Sequence, residues 1–174
     1  MSFKLPVSVS VRAATPADRQ FVVELADRLV DGFDAPAHRS KPELIEGDRR
    51  ALIGWFDSWT AEGSLAEARS AKADETILIA ELDGKPAGCA YLVTLVDYFN
   101  ERPHAHLSVL AVDKPSEGKG VGSALLDACE QWARSRGSDR LTLSALVTNA
   151  RARRLYEKRG FNGEYVRYVL PLVP

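Results

Sequence analysis

Residues 106–137 read HLSVLAVDKPSEGKGVGSALLDACEQWARSRG, and this stretch decides the fold. HLSVLAV is a strand, DKPSEGKGVG a glycine-rich loop and SALLDACEQWARSRG an amphipathic helix. A strand that ends in such a loop and feeds a helix points several backbone N–H groups at one place, which attracts phosphate. Gly118, Gly120 and Gly122 let the backbone bend tightly and let an anion approach without meeting a Cβ, and Lys119 adds a cation. Val121, Leu125, Ala128, Cys129 and Trp132 recur at three- and four-residue steps before Gly137. That spacing predicts a helix over about residues 119–136.

Two nucleotide motifs are excluded. A P-loop requires glycine five residues before Gly118, where Asp113 stands, and Ser or Thr after Lys119, where Gly120 stands. A dinucleotide fingerprint requires its third glycine one residue later than Gly122.

The segment Glu117-Gly118-Lys119-Gly120-Val121-Gly122 resembles motif A, [QR]-x-x-G-x-[GA], of the GNAT superfamily of N-acetyltransferases. The departure is Glu117, where the family has Gln or Arg. A carboxylate beside a pyrophosphate is unfavourable, so Glu117 is expected to turn outward and contribute only its backbone. The resemblance implies acetyl-CoA as cosubstrate. Backbone groups of Glu117, Gly118, Lys119, Gly120, Val121, Gly122 and Ser123 would hold its pyrophosphate, and Leu110, Ala111 and Val112 would pair with its pantetheine arm. The segment NARARRLYEKRGF at residues 149–161 looks like the family's motif B, N-x-x-A-x-x-L-Y-x-x-x-G-F. By that resemblance Asn149 hydrogen-bonds the pantetheine arm and Tyr156 protonates the departing sulfur. A phenol, with an ordinary pKa of about 10, holds a proton to give at neutral pH. Read without the resemblance, Asn149 caps a helix and Tyr156 fills core.

Acetyl transfer also needs a base for the amine. Strand parity puts His106, Ser108, Leu110 and Val112 on one face and Leu107, Val109 and Ala111 on the other. AHLSVLAV is similar to the strand of arylalkylamine N-acetyltransferases that carries histidines at the position of His106 and two later, here Ser108. His106 is therefore the candidate base, and a histidine's ordinary pKa of about 6.5 suits the task. His104 and Glu75 are the alternatives. The oxyanion donor is expected among the backbone N–H groups of residues 110–112. Arg151, Arg153 and Arg154 suit either the 3′-phosphate of CoA or a solvated helix face.

The chain in order supports one domain over residues 1–174, with 45% apolar and 27% charged residues. Val7, Val9 and Val11 alternate as a first strand. Thr15-Pro16-Ala17-Asp18 starts a helix with Phe21, Val22, Leu25, Ala26 and Leu29 on one face, ending near Gly32. Ser40-Lys41-Pro42-Glu43 starts a second helix, to about Trp59, whose stripe includes Trp55, Phe56 and Trp59. That stripe reads as packing on the sheet rather than as an acceptor pocket. His38 precedes it as a solvated loop residue, and residues 63–74 read as a short helix or loop.

Residues 76–82 and 85–96 flank Asp83-Gly84 as a hairpin. Residues 104–112, 141–145 and 165–170 read as strands, and 149–159 as the last helix. The order β-α-α-β-β-β-α-β-α-β matches the family fold, an α/β mixed sheet with helices on both faces.

Net charge is −1, divided as −6 over residues 1–101 and +5 over residues 102–174. The basic part holds the phosphate loop, and the acidic part suits a cationic amine. Dispersed basic residues without interleaved aromatics argue against nucleic acid, and no apolar run is long enough to span a membrane. Cys89 and Cys129 read as buried thiols, with no metal cluster or disulfide framework. No leader is read in MSFKLPVSVSVRAA, so a cytoplasmic protein is expected.

The expected activity is transfer of acetyl from acetyl-CoA to a primary amine, with a small-molecule amine favoured, by direct attack in a ternary complex. A non-catalytic acyl-CoA sensing module and a protein N-terminal or lysine acetyltransferase are the alternatives. The family also forms homodimers, for which the edge strand near Tyr165 is the expected surface.

Overall fold

Period-two alternation builds one sheet, in the order β1 (Val9–Ala13), β2 (Glu75–Leu82), β3 (Lys85–Val96), β4 (Pro103–Val112) and β5 (Leu141–Leu143). The computed structural model describes residues 8–36, 38–61 and 75–172. β1 to β4 are antiparallel neighbours and β5 joins β4 in parallel, so the sheet is mixed as expected. Asp83 and Gly84, with φ of 51° and 77°, close the β2–β3 hairpin with the left-handed backbone that its tight turn demands.

Helices cover both faces. On one lie α1 (Arg19–Glu24), α2 (Ala26–Leu29) and α3 (Lys41–Ala61). They bury Val22, Leu25, Leu52 and Phe56 against Ile77, Ile79, Cys89, Tyr91, Val109 and Ala111. On the other face lie α4 (Val121–Ser135) and α5 (Ala150–Lys158). Val121, Leu125, Leu126 and Cys129 of α4 pack there on Ala80, Ala90, Leu92 and Leu107. α4 ends in a Schellman pair, Gly137 N–H to Arg134 O and Ser138 N–H to Ala133 O, each 3.0 Å.

The structure departs from the sequence reading at three places in the fold. The first helix is segmented into a 3-10 turn, Pro16–Asp18, and then α1 and α2, with Leu25 between them at ψ −6°. The tightening at Leu25 keeps the apolar face in register, because Val22, Leu25 and Ala26 are all buried. The second departure is residues 165–170, which form no strand: Tyr165 is 69% exposed and Tyr168 90%. β5 has three residues, and so few rungs, at about 1 kcal/mol each, do not offset the entropy of ordering a sixth strand.

The third departure moves His106. Val109 pairs with Tyr91, and the next pair down is Leu107 with Leu92, so Ser108 is the extra residue of a β-bulge. The extra residue inverts the alternation below it. Leu107 therefore shares the α4 face with Leu110 and Val112. His106 accordingly lies on the α1–α3 face with Val109 and Ala111, not with Leu110 and Val112. Trp59 and residues 63–74 lie outside the residues, or the side chains, that are described.

Candidate active site

The site is built where β4 loses one neighbour. β4 pairs with β3 from Pro103 to Val112, but with β5 only at Ala105, His106 and Leu107. Beyond Leu107 the two parallel strands diverge. Asp113 N–H donates to Ala87 O on β3 at 2.9 Å, whereas Val112 O accepts from Arg28 Nε at 3.2 Å on the opposite edge. Successive residues of a strand turn their N–H and C=O groups to alternate edges. Leu110 and Val112 therefore aim theirs into the gap, while Ala111 turns its own towards β3.

The gap leads into the glycine loop. Asp113 Oδ1 accepts from Ser116 N–H at 3.1 Å and starts the 3-10 turn Lys114–Ser116. Gly118 and Gly120 then sit at φ 73° and 87°, which L side chains rarely adopt, with no neighbouring atom where a Cβ would stand. The requirement for glycine here is conformational rather than steric. The first helical bond of α4 is Ala124 N–H to Gly120 O, so the N–H groups of Val121, Gly122 and Ser123 precede the ladder and are directed at the loop. Glu117 and Lys119 N–H groups bond Lys114 O and Ser116 O within the loop.

Glu117 does not turn outward. Its carboxylate accepts from Arg28 Nη2 of α2 and, at 2.8 Å, from Arg151 Nη1 of α5. Those hydrogen bonds and charges, Arg151 first, hold Glu117 below its usual pKa. Carboxylate repulsion was the reason to expect an outward turn, and two guanidinium groups remove that reason by neutralising it. One side chain thus connects helices from both faces of the sheet beside the phosphate loop.

Asn149 caps α5, its side-chain oxygen accepting from Ala152 N–H at 3.1 Å. Tyr156, about two turns further on, packs on the α4 cluster and meets Phe161 edge-on at 5.8 Å between ring centroids. Burial, helped by repulsion from Cys129, pushes the phenol up to about 12, so it stays protonated. Of the other arginines, Arg153 Nη1 bonds Val147 O at 3.3 Å and Arg154 is exposed.

On the opposite face, His106 Nδ1 lies 2.9 Å from Thr142 Oγ1, and that hydroxyl reaches Ala105 O at 3.3 Å. Burial, then the nearby His104, lowers the His106 pKa and favours the neutral ring. His104 is only 8% exposed, and its Nδ1 stands 3.4 Å from Arg140 Nη2, which also donates to Asp97 Oδ2 at 2.7 Å. A guanidinium can only donate, so the His104 Nδ1 lone pair faces a cation and is poorly available to a substrate.

Glu75 accepts from Tyr91 OH at 2.5 Å, and Tyr91 stacks on Trp55 at 4.8 Å. The aromatic stripe of α3 thus divides: Phe56 is core, and Trp55 covers the tyrosine of β3. His38 is exposed in its turn. Among the described residues no group of three His, Cys, Asp or Glu could hold a metal ion.

Three contributors were not evident in the sequence reading. The sequence singles out neither Thr142 nor Arg28, and it gives Ser108 only as the residue in the place of the family's second histidine. A β-bulge and a pairing across the sheet leave no local signal.

A model of the acetyltransferase (GNAT) family matches residues 42–161. The chain is 31% identical over 170 residues to an aminoglycoside N(6′)-acetyltransferase type 1 of Stenotrophomonas maltophilia, with 95% of each chain covered. It is 23% identical over 165 residues to an uncharacterized N-acetyltransferase of Methanocaldococcus jannaschii, covering 94% of this chain but only 65% of the relative's length. Among solved structures it resembles an aminoglycoside N-acetyltransferase in complex with CoA, at TM-score 0.63 and 16% identity, over 96% of this chain and 97% of that one. A likeness at that identity is one of fold.

Proposed function

The chain belongs to the acetyltransferase (GNAT) family, and from that premise we propose that it moves the acetyl group of acetyl-CoA to a primary amine on a small cationic molecule, by direct attack in a ternary complex. The observation that carries this reading is the gap between β4 and β5. It turns the polar groups of Leu110 and the N–H of Val112 to the open edge beside the helix start that follows Gly118 and Gly120, while Val112 O is held by Arg28. A pantetheine arm can add to such an edge as a short strand, with its pyrophosphate against the N–H groups of Val121, Gly122 and Ser123. The fold shared with a CoA complex supports this cosubstrate.

In this reading His106 takes the proton from the amine, directly or through water. A backbone N–H in the segment Leu110 to Val112 stabilises the oxygen on which charge develops. Tyr156 gives its proton to the departing thiolate, and burial keeps that proton in place until it is needed. The charge of −6 over residues 1–101 favours a cationic acceptor, and the 31% identity to an aminoglycoside acetyltransferase supports a small polyamine-like one.

The test is thiol release from acetyl-CoA over a panel of amines, for the wild type and Tyr156→Phe, with CoA binding measured separately. Release with a small polycationic amine that falls about 100-fold or more in Tyr156→Phe, at unchanged CoA affinity, is expected. Binding without release on any amine would favour an acyl-CoA sensing module. No binding would overturn the cosubstrate assignment.

A further inference from the structure

The histidine offered as base has a partner on the neighbouring strand to which no role has been given. We propose that Thr142 is a positioning residue: it holds His106 in the tautomer that carries hydrogen on Nδ1, so that Nε2 presents its lone pair to the acceptor amine. This inference rests on the reading of His106 as the base.

The argument is a count of hydrogens. A threonine hydroxyl has one proton to donate and lone pairs to accept with. Thr142 Oγ1 lies 3.3 Å from Ala105 O, a carbonyl that can only accept, so the hydroxyl proton goes there. The remaining contact, 2.9 Å from Oγ1 to His106 Nδ1, must then be donated by the ring. The hydrogen each ring nitrogen carries is set by the bond that the other makes. A hydrogen on Nδ1 leaves Nε2 as the acceptor.

The backbone holds this arrangement in place. His106 and Thr142 are directly paired across the parallel β4–β5 ladder, one rung before it ends at Leu107 and Leu143. Val93 stands opposite His106 on β3 and offers no competing polar atom, while His104, two residues away on the same strand, is engaged by Arg140. When Nε2 takes a proton from the substrate ammonium, the N–H bonding pair stays on the amine nitrogen as the attacking lone pair, and the ring becomes imidazolium. Thr142 goes on accepting from Nδ1–H throughout, so nothing at this bond reorganises during the transfer.

The tautomer is read directly by long-range 15N–1H NMR of the three histidines, with His106 assigned from His106→Gln. Wild type and Thr142→Ser should both show hydrogen on Nδ1. Thr142→Val keeps the branched strand side chain but cannot accept the bond. It should move the hydrogen to Nε2 and lower kcat about tenfold or more, with KM for acetyl-CoA unchanged. A wild-type ring protonated on Nε2, or a Thr142→Val ring still protonated on Nδ1, would overturn the proposal. Failure of the base reading looks different. Full turnover in His106→Ala would remove His106 from catalysis, while the tautomer shift in Thr142→Val would still establish what Thr142 does to the ring.

Discussion

The two faces of the sheet are built by different rules. The α4 face is centred on one uninterrupted helix, started at a left-handed glycine, stopped by a Schellman pair and seated on small residues of β2 and β3, with α5 beside it. The α1–α3 face begins in short segments, the 3-10 turn with α1 and α2, before the long α3, and ion pairs tie these pieces together: Arg12 with Asp18, Arg19 with Asp57 and Arg49 with Asp27. The two exposed pairs, Arg19 with Asp57 and Arg49 with Asp27, contribute at most about 1 kcal/mol each. Both faces bury a close-packed cluster, Leu125 and Leu126 on one and Phe56 and Ile79 on the other. The proposed acid and base divide along the same line, with Tyr156 on the α4 side and His106 on the α1–α3 side.

The largest test of this contrast is one glycine from each face. A Cβ on Gly88 of β3 would stand 2.7 Å from Ala111 O, 3.0 Å from Val121 Cγ1 and 3.2 Å from Leu125 Cδ1. The carbonyl is backbone of β4 and cannot swing away, so α4 and the strand pair must separate. Gly88→Ala should destabilise the protein by about 3 kcal/mol in urea unfolding. Gly54 of α3 meets nothing within 4 Å. Gly54→Ala should stabilise by up to about 1 kcal/mol, because alanine is the better helix former. Equal costs at the two positions would erase the difference between the faces.

A smaller effect belongs to the best-buried ion pair of the segmented face. Asp18 is 5% exposed; its carboxylate accepts two bonds from Arg12 at 2.8 Å and one from Thr15 N–H at 2.7 Å. The bond from Arg12, above all, pulls its pKa down to about 2. A carboxylate depressed in the folded state contributes stability above its unfolded pKa, and loses it as pH falls through the folded value. Asp18→Asn should therefore cost about 2 kcal/mol at pH 7, allowing for the partial exposure of Arg12. The difference from wild type should shrink between about pH 4 and pH 2. A pH-independent difference would mean that packing, not the ion pair, ties β1 to the turn.

How far these faces were legible in the sequence follows from the range of the forces that make them. The loop glycines, α4 with its stop, the Asp83-Gly84 hairpin and the Asn149 cap are local, each decided within a few residues, and the structure has them where the spacing put them. The facing of His106 was misread because a bulge at Ser108 depends on which β3 residue Val109 and Leu107 choose, a matter of pairing rather than of pattern. Thr142 gains its meaning from a neighbour 36 residues away. The strand expected over residues 165–170 has the right alternation, but alternation cannot reveal that β5 is too short to receive it.

Glu117 is where the two faces meet, and where a carboxylate stands in place of the family's Gln or Arg. Arg28 comes from the segmented face and Arg151 from α5, and both donate to it. Arg28 Nε also occupies Val112 O, one of the groups on the open edge of β4. A pyrophosphate arriving at the loop would meet two arginines already paired to an anion, so Glu117 competes with the ligand for them. Glu117→Gln removes the competing charge and leaves a side chain of the same length that can still accept from one arginine. CoA should bind about two- to fivefold tighter at low salt, with the gain fading as ionic strength rises and KM for the amine unchanged. Weaker binding in Glu117→Gln would mean that the carboxylate orients the arginines for the phosphate. In that case the link between the faces would belong to the cofactor site rather than compete with it.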